Sequence, residues 1–84
     1  MKIKHNVAIS ESGFVFNAVS GDSFSLNPIA LEIIELLKKN KTYEEIRDHF
    51  LEKYDVETIV FEKAFYDFLG MLKHFNLLEN GEEN

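Results

Sequence analysis

The chain has 84 residues, 45% of them hydrophobic, and fifteen acids against nine bases give a net charge of −6. That length accommodates one domain and no second core, and the lack of cysteine excludes disulfides, thiolate metal sites, cysteine nucleophiles and iron–sulfur ligation by this chain. No apolar run approaches a membrane span, the opening MKIKHN lacks a signal peptide's apolar stretch, and the scattered Lys and Arg offer no basic face for phosphates, so a cytoplasmic protein without nucleic-acid or membrane partners is expected.

Residues 3–26 read as a three-stranded meander. The first strand covers about Lys4–Ser10, with Val7 and Ile9 alternating against Ala8 and Ser10, and Ser10-Glu11-Ser12-Gly13 forms a turn. The second, Phe14–Ser20, is apolar on both faces: Phe14, Phe16 and Ala18 on one, Val15 and Val19 on the other. Gly21-Asp22 suits a tight hairpin, since glycine accepts the positive φ of a primed turn. In the third strand, Ser23–Leu26, alternation sets Phe24 and Leu26 opposite Ser23 and Ser25.

Strand passes to helix without a loop. Asn27 can cap the first free helical N–H groups, Pro28 fits the first helical position, and proline holds the residue before it extended. The first helix, about 28–39, buries Ile29, Ala30, Ile33, Ile34, Leu36 and Leu37 on one broad face, and Asn40 is a left-handed stop. Thr42-Tyr43-Glu44-Glu45 is a capping box opening a second helix over about 43–54, with Ile46, Phe50 and Tyr54 four apart. The third helix, about 58–76, carries a central stripe of Phe61, Phe65, Phe68, Leu69, Leu72 and Phe75, widened on one flank by Val60, Ala64 and Met71. This apolar arc is wide for a helix covering two short neighbours. Leu77 and Leu78 close the core, and Gly81-Glu82-Glu83-Asn84 reads as a frayed acidic tail. The predicted fold is α+β and winged helix-turn-helix-like: a three-stranded antiparallel sheet followed by a three-helix bundle, one domain over 1–84 with an ordered core at about 4–79.

Catalytic chemistry finds little support. His5, His49 and His74 lie in three different elements with no metal-ligand spacing and read as surface histidines of no special role. Adjacent acids such as Glu44-Glu45 diverge by about 100° on a helix, which makes them solvated rather than an acid–base pair. No serine has a nucleophile elbow, and the four glycines form no phosphate loop. Neither a metal, a cofactor nor catalysis is expected. A DNA-binding use would make the third helix a recognition helix, yet its first half offers Glu57, Glu62 and Asp67 against Lys63 alone.

The run Leu26-Asn27-Pro28-Ile29-Ala30, with Ile33 and Leu37, then Thr42-Tyr43-Glu44-Glu45-Ile46, then Phe65, Phe68-Leu69 and Leu72 closing on Phe75-Asn76-Leu77-Leu78, resembles the PqqD-like family of peptide-recognition domains from ribosomal-peptide modification pathways. The likeness covers about residues 14–79, and Asn76 departs from it where members often carry glycine. The resemblance implies a non-catalytic module (a RiPP recognition element) that binds a precursor's leader peptide as a strand added to the third strand, in a groove against the third helix. A separate maturation enzyme, a radical SAM protein by the resemblance, would receive the peptide. Asp22, Ser23, Phe24 and Ser25 then form the strand side, with Phe61, Phe65 and Phe68 or the Val60, Ala64 and Met71 flank opposite. Periodicity leaves open which flank faces the groove. An exposed edge also allows a homodimer through that strand, so a structural dimerisation module and a winged-helix DNA-binding regulator stand as the alternatives.

Overall fold

A computed structural model describes residues 2–79; the acidic segment Gly81–Asn84 lies outside them. Three short strands, β1 (Val7–Ile9), β2 (Phe14–Asn17) and β3 (Ser23–Ser25), pair antiparallel in chain order and leave β3 at one edge. The helices α1 (Pro28–Lys38), α2 (Tyr43–Lys53) and α3 (Thr58–His74) follow, giving the predicted order of three strands and three helices.

The first hairpin needs its glycine. Gly13 sits at φ +90°, and a Cβ there would lie 2.7 Å from the Leu26 carbonyl oxygen. The same close approach lets the Leu26 N–H donate to the Gly13 carbonyl at 2.8 Å, which pins the end of β3. The second hairpin differs from expectation. The expected two-residue turn at Gly21-Asp22 is a four-residue loop, residues 18–21, between the pair joined by the Asn17 N–H and Asp22 carbonyl at 2.9 Å. Asn17 causes the change. Its buried side-chain oxygen accepts from the Val19 and Ser20 N–H groups and from Asn6 Nδ2, so the chain turns there. β2 therefore ends at Asn17 rather than Ser20, and Val19 is an exposed loop residue rather than a core one.

The strand-to-helix junction is as predicted: Asn27 Oδ1 accepts from the Ala30 N–H at 2.8 Å, and Pro28 begins α1. Thr42 and Glu45 form the reciprocal capping box of α2. α1 and α3 end alike. Asn40 (φ 63°) and Asn76 (φ 61°) adopt the left-handed conformation. The paired bonds Asn40 N–H to Leu37 O and Lys41 N–H to Leu36 O close α1, and Asn76 N–H to Lys73 O and Leu77 N–H to Leu72 O close α3. Asn76 thus does what a glycine would do there.

The core joins Val7 and Val15 of the sheet to Ile33, Ile34 and Leu37 of α1, Ile46 and Phe50 of α2, and Phe61, Phe65, Leu69 and Leu72 of α3. The chain ends close it: Ile3 bridges Leu78, and the Lys4 N–H donates to the Leu77 carbonyl at 2.9 Å. Among the described residues no helix is long and apolar enough to cross a membrane.

Candidate peptide-binding site

The hydrogen-bond pattern decides what β3 offers at its free edge. The bonds from Asn17 N to Asp22 O and from Leu26 N to Gly13 O mark those two pairs as bonded. In an antiparallel ladder bonded and non-bonded pairs alternate, so with Val15 opposite Phe24 in register, Phe24 spends its N–H and C=O on β2. Ser23 and Ser25, opposite Phe16 and Phe14, turn theirs outward. On the other side of β2 the bonds from Ala18 N to Asn6 O and from Ser10 N to Phe14 O follow the complementary phase.

What faces this edge follows from the two flanks of α3. At about 100° per residue, the buried Phe61, Phe65, Leu69 and Leu72 define its core direction. One flank is taken by α2: the Tyr43 ring lies 5.1 Å from Phe65 and 5.6 Å from Tyr66, and its hydroxyl donates to Glu62. Burial first, then the neighbouring Glu62 charge, raises the Tyr43 pKa. Val60, Ala64, Met71 and Phe75 lie together on the opposite flank, beside Phe68. The Phe24 ring meets Phe75 at 5.1 Å, so this flank is the one beside β3. Val60 is 53% exposed, Ala64 is exposed, and Phe68 and Met71 are half-buried. At the first turn of α1 an apolar cavity of about 230 Å³ opens between Ile29 and Val56, Val60 and Ala64, with the rings of Phe50, Tyr54 and Phe61 in its lining.

Of the residues singled out in sequence, Ser23, Phe24 and Ser25 stand on the edge strand with Asp22 just before it, and Val60, Ala64, Phe68 and Met71 on the flank of α3 that Phe75 shares. Phe65 does not present a wall, being fully buried, and Phe61, nearly buried, contributes only to the floor of the cavity. Phe65 is corrected to a core residue beneath the surface, because the centre of the apolar arc is spent on α2 and the sheet. Ile29 and Phe75 join the site although sequence reasoning placed them elsewhere. Phe75 lies four residues past Met71, the spacing that repeats along the flank; Ile29 needed the packing of α1 against α3.

A polar cluster lies elsewhere, between α1 and α2. The Glu32 carboxylate accepts from Lys53 Nζ and Tyr54 Oη, each at 2.9 Å, and binds His49 Nε2. Burial pushes the Glu32 pKa up, but the contacts from His49, Lys53 and Tyr54 outweigh it and hold the pKa at about 2, against an ordinary 4.5. His49 therefore joins two helices, a correction to its reading as a surface histidine without a role. Lys53 and Tyr54 donate to the Glu32 carboxylate and His49 lies against it, so the cluster fastens α2 to α1. Among the described residues no group of three His, Cys, Asp or Glu could hold a metal ion.

A free strand edge beside an apolar helical flank is an arrangement able to accept an extended peptide as an added strand. The family model for coenzyme PQQ synthesis protein D (PqqD) matches residues 13–78, and the chain belongs to that family. The solved structure of TbiB1 in complex with the TbiA(beta) leader peptide is similar to this chain at 31% identity with a TM-score of 0.87, over 95% of this chain and 96% of that one. No curated protein matches the chain.

Proposed function

We propose that this chain is a non-catalytic module that binds the leader segment of a ribosomally made precursor peptide as a strand added to β3 and presents it to a separate modifying enzyme. The observation that carries the reading is the outward-facing backbone of Ser23 and Ser25 beside the Val60, Ala64, Met71 and Phe75 flank. It is supported by membership of the PqqD family and by the likeness to a protein solved with a leader peptide bound. Main-chain bonds supply affinity that tolerates many sequences, while the apolar flank selects alternate side chains. The junction Leu26-Asn27-Pro28 holds the edge rigid, which lowers the ordering cost of binding. In this reading the modifying enzyme is a radical SAM protein acting in the cytoplasm, as the family resemblance implies.

The test is an amide-shift titration of isotope-labelled protein with synthetic leader peptides taken from short reading frames beside its gene. Shifts concentrated in residues 22–26 and 60–75 are expected. Saturable shifts confined to α2, or none with any peptide, would overturn the proposal. Sedimentation of the free chain addresses the rival occupant of the edge: a homodimer through β3 would dissociate as peptide is added, whereas a dimer indifferent to peptide would favour a structural module.

A further inference from the structure

The outer face of the sheet carries something the groove does not use. Phe14 and Phe16 of β2 point away from the core, 47% and 41% exposed. Their register partners on β3 are Ser25 and Ser23, and Ala8 of β1 stands opposite Phe16. Two aromatic rings thus lie on an open sheet face, bordered toward the free edge by two of the smallest side chains available. Strand interiors favour large residues, which cover their neighbours. Serines at both outward positions of β3 instead leave a shallow trough between the rings and the edge.

An added strand fills that trough in a defined way. Peptide residues that exchange hydrogen bonds with Ser23 and Ser25 stand opposite them and share their face. The residue between stands opposite Phe24 and points into the groove beside α3. The two flanking side chains therefore emerge on the outer face, two strand spacings, about 10 Å, from Phe16 and Phe14. Large side chains leaning from both sides over a serine span that gap.

We propose that the chain reads its peptide on both faces of the added strand: one apolar side chain opposite Phe24 enters the groove, and the two flanking positions take large apolar or aromatic side chains that lie across Ser23 and Ser25 onto Phe16 and Phe14. The ligand class is then a peptide with three consecutive apolar residues, not one alternating apolar with polar. This rests on strand addition to β3, the function proposed above, and continues that interface across the edge.

The experiment selects phage-displayed random dodecapeptides on the full-length chain, then measures the best synthetic peptide by fluorescence anisotropy. The proteins compared are the wild type, a Phe14→Thr/Phe16→Thr double variant, whose threonines keep strand propensity, and Ser25→Pro. Selected peptides should share three consecutive large apolar positions. The double variant should bind roughly tenfold more weakly through loss of cross-strand contacts, should melt cooperatively, and should reselect peptides constrained at the central position alone. Alternating peptides from the wild type, or equal affinity in the double variant, would overturn the inference while leaving strand addition intact. Reduced capture of the modifying enzyme by the double variant at unchanged peptide affinity would also overturn it, assigning the rings to that enzyme. No selected peptide, or one that Ser25→Pro binds as well as the wild type does, would overturn the underlying reading and this inference with it.

Discussion

The two flanks of α3 are built from similar apolar residues and finished in opposite ways. Toward α2, Tyr43 packs on Phe65, stacks against the outer Tyr66 and bonds Glu62, and α2 is itself held to α1 by Glu32, His49, Lys53 and Tyr54. Toward β3, one ring contact, Phe24 with Phe75, joins strand and helix, while Val60 and Ala64 stay exposed beside an edge with free backbone donors and acceptors. A side fastened by polar contacts and rings gains nothing from an added strand. A side with unpaired main chain and uncovered apolar surface gains on both counts. The contrast teaches that the hydrophobic arc of a helix can serve core and ligand at once, the neighbours deciding where one ends.

The change expected to break the open side most severely is Ser25→Pro. It removes an outward N–H and places a ring where the peptide backbone must approach, while edge strands tolerate proline. Leader-peptide affinity should fall by about thirtyfold or more, with little change in melting temperature, and Ser25→Ala, which keeps the N–H and a small side chain, should bind as the wild type does. Calorimetry of the three proteins checks it; undiminished binding by the proline variant would place the peptide elsewhere.

The fastened side should answer to acid instead. Glu32 is depressed to about 2 from 4.5 when folded, so its contribution is present above about pH 4.5 and is lost as pH falls from there toward 2. With its side chain only 18% exposed, that contribution is of order 2 kcal/mol. Glu32→Gln should lower stability at neutral pH by about that amount and flatten the acid limb of the stability curve, as urea melts between pH 7 and pH 2.5 would show. Peptide affinity at neutral pH should not change. A variant that lost affinity in step with stability would mean the two sides are coupled.

A smaller effect is expected from a charge placed on the open flank. Ala64→Glu puts a carboxylate beside the cavity between Ile29 and Val60, where a bound peptide would desolvate it. Affinity should fall by roughly tenfold and stability by little, because the position is exposed. The mirror change Tyr66→Glu, on the α2 flank, should leave affinity intact. Anisotropy titrations with one labelled leader peptide compare the two, and equal losses would erase the distinction between flanks.

How much of this was legible in the sequence depended on how local each feature is. The run from Ser23 to Pro28 was readable because alternation, cap and proline act within a few residues, and the capping box at Thr42 and the stop at Asn40 belong to the same class. The four-residue loop was missed because Asn17 looked like a strand residue, whereas its side chain bonds backbone two and three residues ahead and ends the strand. The bridge from Ile3 to Leu78 and the Glu32 cluster join distant parts of the chain, so no local pattern announces them. The flank that faces β3 stayed undecided for the same reason: periodicity gives the width of an apolar arc, and only the packing of Tyr43 on Phe65 and Tyr66 shows which side α2 takes. Phe65 was carried into the site because the middle of an arc and its edge look alike in sequence.

The smallest effect expected lies on the third side of α3, away from both flanks. Gly70 is exposed in mid-helix, and a Cβ built there meets nothing within 4 Å. Glycine costs a helix interior about 1 kcal/mol relative to alanine through the freedom of the unfolded chain. Gly70→Ala should therefore stabilise the protein by about 0.5–1 kcal/mol and leave peptide affinity unchanged, as thermal melts and the same anisotropy titration would record. Weakened binding would show that the peptide or its enzyme approaches this face closely, and the division of α3 into one covered flank, one open flank and one idle face would then need a second binding surface.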